Sequence, residues 1–137
     1  MTDPVSKIDI SVYGDHRSIT AEVVALLHVT FPNRGLELIE TKSRALRSGD
    51  IHELMLTDED AKLGDKVDRV RVLCFFEVKQ GGLAVIGDEV TLNCENIGVV
   101  AGWDMTHMPN HMNFLVKGMN LENVQVSVGD NITIKLP

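Results

Sequence analysis

Apolar side chains recur at every second position along much of this chain, and that period predicts strands. From residue 66 onward the alternation is plain. Residues 67–78 read as one long strand, 80–82 as a turn, and 84–86, 89–92, 97–101, 111–117, 124–128 and 132–136 as further strands at short spacing. Before residue 66 the pattern is mixed. Residues 8–12 alternate as a short strand or ordered arm, 36–41 read as a strand and 51–56 as extended. Residues 19–31 admit a helix capped by Ser18, with Ile19, Val23, Leu26 and Leu27 as its stripe. Their β-branched content favours a strand. Residues 42–49 read as a basic loop or helical turn. Thr57, followed three residues later by Asp60 and closed by Gly64, predicts one or two helical turns over 57–63.

Many strands, short turns and almost no helix predict a mainly β fold. The expected form is a small closed or partly open β-barrel with one or two short helical turns around 42–64, a β-sandwich being the alternative. A length of 137 residues fits a single domain over 1–137, with residues 1–7 as a flexible arm. Gly-Asp pairs at 14–15, 49–50, 64–65, 87–88 and 129–130 read as repeated turn chemistry at strand entries rather than as a ligand site.

Composition narrows the function classes. Aromatics make up only 4%, so the core must rest on Val, Ile, Leu and Met. Twenty acidic against thirteen basic residues give a net charge of -7, which argues against nucleic acid and against an anionic membrane, since both need a basic footprint. No apolar run reaches the roughly 18 residues of a membrane span, and the N-terminus lacks the pattern of a signal peptide. Cys74 and Cys94 stand far apart, and Cys74 lies in an apolar run that predicts a buried thiol. A soluble cytoplasmic protein is the expectation. Neither a nucleotide-binding glycine loop nor a nucleophile elbow is present.

Polar chemistry concentrates in Gly102-Trp-Asp-Met-Thr-His-Met-Pro-Asn-His-Met-Asn113. A tight hairpin turning at Pro109 and Asn110 would pair 106 with 113 and 104 with 115. That alternation sorts Asp104, Thr106, His111 and Asn113 onto one face and His107 onto the other. His111 polarised by Asp104 is then the candidate acid–base pair, with Thr106, Asn113, His52 and Glu53 as candidate partners. The segment Asp50-Ile-His-Glu53 is no zinc-protease motif, because position 56 is Leu. In a wider loop Asp104, His107 and His111 would instead converge as ligands for a divalent metal. Any cofactor is otherwise unassigned. Lys42, Arg44 and Arg47 form a basic cluster suited to a small anionic molecule.

Three segments, 34–44, 49–54 and the Gly-x-Asp-x-Thr-His-x-Pro-Asn-His-x-Asn stretch of 102–113, resemble a small family of uncharacterised bacterial proteins, a domain of unknown function. The resemblance implies no activity. Two function classes stay open: a small-ligand-binding protein or enzyme built on the 102–113 loop, and a non-catalytic interaction or regulatory barrel that associates with itself or a partner subunit.

Overall fold

The computed structural model describes residues 12–137, so the alternating segment at 8–12 lies almost wholly outside the described residues. Seven strands close into a barrel. In chain order they are β1 (Ile19–Phe31), β4 (Ile51–Thr57), β6 (Val70–Gln80), β8 (Glu89–Leu92), β9 (Glu95–Asp104), β10 (Asn113–Lys117) and β11 (Asn131–Lys135). Around the barrel the order is β1-β11-β8-β9-β10-β4-β6, back to β1. All neighbours are antiparallel except β10 and β4. Two short ribbons complete the molecule: β2 (Leu36–Glu37) with β5 (Lys66–Val67), and β3 (Ser43–Leu46) with β7 (Gly82–Val85). No helix of the described residues is long and apolar enough to cross a membrane.

Residues 19–31 are a strand throughout. Their β-branched side chains suit a pleated wall, where Ile19, Ala21 and Val23 face inward and Leu27 packs on the other side. The alternation separates two apolar clusters. Leu54, Leu56, Phe76, Trp103, Phe114 and Val116 fill the barrel interior. Met55, Val72, Ala101 and Leu115 lie on the opposite face of the same strands and pack with Leu36, Leu38 and Val67 of the β2–β5 region. That region is therefore a flap laid over the outer wall of β9, β10 and β4. Gly102 permits the close approach: a Cβ there would stand 3.1 Å from Leu38 Cδ1.

Several expectations are corrected. Residues 43–46 form a strand, not a loop or helical turn, because β7 offers a ladder that local propensity could not reveal. Residues 57–63 hold no helix. The Thr57 hydroxyl is buried, donates to the Arg69 carbonyl at 2.7 Å and accepts from the Glu59 amide, so it ties the chain to the β5–β6 connection instead of capping a helix. Residues 124–128 form no strand. Val124 and Val126 do pack on the core, but the barrel is already closed and leaves them no edge to join. Only a 3-10 turn at Leu121–Asn123 is helical among the described residues.

The expected tight hairpin at 108–111 is also corrected. Asn113 pairs with Asp104 and Leu115 with Gly102, two residues off the expected register, so residues 105–112 form a wide loop. The His107 carbonyl accepts from the amides of both Asn110 (2.9 Å) and His111 (3.3 Å). The loop thus closes as a tight turn around Pro109, with the Met108–Pro109 peptide cis.

Candidate functional site

The wide loop brings together what a tight hairpin would have separated. The turn folds the chain back so that the His111 amide meets the His107 carbonyl, which brings the two side chains together. The rings of His107 and His111 accordingly lie 5.0 Å apart, tilted by 30°. The expectation that the two histidines face opposite ways is overturned by that turn.

The carboxylate that meets them comes from β4. Asp104 of β9, Asn113 of β10, Glu53 of β4 and Phe75 of β6 are cross-strand neighbours, a row over four strands on the flap side of the wall. His111 Nε2 lies 3.0 Å from Glu53 Oε1, and both residues are more than nine-tenths buried. The ring edge of one of Phe75 and His111 meets the face of the other at 4.9 Å. Asn110 Nδ2 stands 2.8 Å from His111 Nδ1. Those partners assign the tautomer: Nε2–H donates to Glu53, and Nδ1 accepts from the Asn110 amide. One donor atom each from Glu53, His107 and His111 lie within 4.8 Å of one another. His107 is exposed, and its Nε2 accepts from the Arg34 guanidinium at 3.2 Å.

Asp104 is used elsewhere. Its Oδ2 accepts from the Glu37 amide at 2.8 Å, pinning the flap, while Oδ1 accepts from the Thr106 amide at 2.8 Å and Asn113 Nδ2 at 3.1 Å. Burial alone would raise its pKa, but these hydrogen bonds together outweigh burial and hold the carboxyl below the usual carboxylate value. Glu53 therefore takes both places given to Asp104, as the partner of His111 and as the carboxylate beside the two histidines. The buried Asn113 Oδ1 has no hydrogen-bond partner among the described residues.

His52 points away from its neighbour Glu53, as strand alternation requires. Its Nδ1 accepts from the Met112 amide at 3.1 Å, and its ring lies edge-on to Phe76. Burial pushes its pKa down, partly countered by Asp50, whose carboxylate is 3.7 Å from Nε2. His52 thus anchors the chain at the entry to β10. Thr106 is exposed beside Asp104.

The basic cluster does not converge on this place. Lys42 lines a separate concavity of about 340 Å³ with Tyr13, Lys62 and Ile86. Arg44 sits opposite Ala84 on the β3–β7 ribbon, and the Arg47 amide donates to Asp50 in a turn. A larger concavity of about 690 Å³, between the β8–β9 hairpin and residues 117–125, holds none of the candidate residues.

Arg34, Asn110 and Phe75 were not singled out as site residues from the sequence. Arg34 lies in the turn after β1 and reaches His107 only through the closed barrel, so no local pattern marks it. The histidine spacing of four carries no local signal here, because Pro109 disfavours a helix and the two rings meet through a turn instead.

No curated protein and no solved structure matches the chain. Residues 13–135 match a family of unknown function, DUF6917, and the chain belongs to that family.

Proposed function

We propose that this protein binds one divalent transition-metal ion through Glu53, His107 and His111, and that the ion is the centre of a small-ligand or catalytic site. The observation that carries the reading is the convergence of one carboxylate oxygen and two imidazole nitrogens within 4.8 Å. Two histidines and one carboxylate suit zinc or ferrous iron and leave coordination positions open. The exposed His107 gives those positions access to solvent.

The surroundings fit this use. A metal at His111 Nε2 replaces the proton now shared with Glu53. The displaced proton then belongs on Nδ1, and a half-turn of the Asn110 amide presents its oxygen to accept it. Asn113 Oδ1, one strand from Glu53, is an acceptor available to a metal-bound water. A metal-free acid–base pair is the weaker reading. In such a pair the carboxylate orients one ring nitrogen while the other faces substrate, and here that second nitrogen is covered by Asn110. Two thiols without a disulfide, Cys74 buried and Cys94 exposed, suit a reducing cytoplasm.

The test is titration of chelator-treated protein with Co2+, read by visible absorbance and calorimetry. One equivalent binds to the natural protein. Glu53→Ala and His111→Ala each weaken binding by roughly 100-fold or abolish it while the barrel still melts cooperatively. Unchanged binding in both variants, or none in the natural protein, removes the proposal.

A further inference from the structure

The guanidinium of Arg34 beside His107 says what kind of ligand the site takes. We infer that Arg34 makes the metal-loaded site specific for an oxyanion, a carboxylate or a tetrahedral anion, held jointly by the metal and the guanidinium. This inference rests on the metal reading above.

The argument begins with hydrogen-bond capacity. Arginine only donates. Its contact with His107 Nε2 at 3.2 Å therefore requires that nitrogen to be the acceptor and places the ring proton on Nδ1. A metal bound at Nε2 takes the same lone pair. A metal bound at Nδ1 forces the proton onto Nε2, where it would confront another donor. Either way, metal binding and the Arg34–His107 hydrogen bond exclude each other.

The displaced guanidinium cannot go far. The Arg34 amide donates to the Asp68 carbonyl at 2.8 Å, and Leu36 of the flap, two residues on, is fully buried against the outer wall. A divalent ion with the single negative charge of Glu53 leaves one net positive charge, and Arg34 adds a second a few ångströms away. Asp104 keeps its negative charge, but its two oxygens are held by three N–H donors of the flap, the loop and Asn113 and not by the guanidinium. Two like charges in a half-buried place repel unless an anion lies between them. An oxyanion satisfies both at once: one oxygen on the metal, others on the planar guanidinium fork. The guanidinium that would recognise the anion thus rests on one of the metal ligands, His107.

The experiment compares the natural protein, Arg34→Ala and Arg34→Lys in Co2+ titrations at matched ionic strength. Perchlorate serves as the non-coordinating salt, acetate as the carboxylate probe and sulfate as the tetrahedral one. In perchlorate, Arg34→Ala is expected to bind Co2+ roughly tenfold more tightly than the natural protein, having lost both competitor and like charge. Acetate or sulfate should tighten Co2+ binding roughly tenfold in the natural protein, less in Arg34→Lys and not at all in Arg34→Ala. Whichever anion couples more strongly identifies the class. Equal Co2+ affinity and equal anion response in the natural protein and Arg34→Ala overturn the inference while leaving the metal site standing. Absence of Co2+ binding in every variant instead overturns the metal reading itself.

Discussion

Asp104 and Glu53 are both acidic, both buried and both in the same cross-strand row, yet they do different work because their partners differ. Three N–H donors meet Asp104, two of them backbone amides that a strand and a loop would otherwise leave unpaired. Asp104→Asn is expected to lower stability by about 1–3 kcal/mol at neutral pH in urea denaturation. The pH dependence has a definite sign. The folded-state pKa of Asp104 is depressed, so its contribution is present above the usual carboxylate value of 3.8 and is lost as pH falls through the folded value. The gap between Asp104→Asn and the natural protein should therefore close in acid. A gap that stayed constant across that window would remove Asp104 as the pin of the flap. The sequence reading pairs His111 with Asp104, its neighbour in the 102–113 stretch, whereas the structure supplies Glu53. Nothing local distinguishes them, because the choice depends on which strand end faces the loop.

At the scale of elements, the Gly-Asp pairs account for four of the sharp reversals. In each of 47–50, 62–65, 85–88 and 127–130 the Asp carboxylate accepts from the amide three residues earlier, at 2.9, 3.0, 3.0 and 2.8 Å. The glycine before each Asp has φ between +85° and +95°, which other residues adopt only under strain. The reading of this repeat as turn chemistry is thus physically founded. One copy differs in its surroundings: Asp88 is buried and also receives His16 Nε2 at 2.9 Å, whereas Asp65 lies at the surface. Asp88→Ala is expected to cost about 2–3 kcal/mol by urea denaturation, and Asp65→Ala far less. Equal losses would show that the shared turn, and not the buried contact, sets the value. The same scale shows where element reading fails. Thr57 and residues 43–46 follow tertiary partners, Arg69 and β7, that lie outside any local window.

For the whole molecule, two histidines respond to pH in opposite directions. His16 joins the segment before β1 to the β7–β8 turn. A bond to the Gly14 carbonyl and the Asp88 carboxylate hold its pKa above 6.5. Its contribution is fully present below 6.5 and is lost as pH rises through the folded value. His52 has a lowered pKa, chiefly through burial, and accepts from the Met112 amide, so it must stay neutral. Its contribution is present above 6.5 and is lost as pH falls through the folded value. Thermal melts of His16→Gln should therefore show their larger deficit at pH 5.5, and those of His52→Gln at pH 8. Parallel pH profiles for the two variants would contradict both assignments.

The alternation of apolar residues was enough to determine a mainly β fold, because each strand must present one face to a shared interior, and pairing of β1 with β6 decided for the barrel over the sandwich. It also sufficed to mark residues 102–113 as the polar centre, since polar side chains clustered around a proline belong at a loop. Tertiary structure decided the rest. The turn at 107–111 exists because the His107 carbonyl takes two amides, a choice open only once β9 and β10 are held at their observed register. Glu53 reaches His111 because β4 lies parallel to β10, a pairing between segments about sixty residues apart that no local period encodes. Arg34 reaches His107 across seventy-three positions for the same reason: contacts between distant segments are set by closure of the whole barrel.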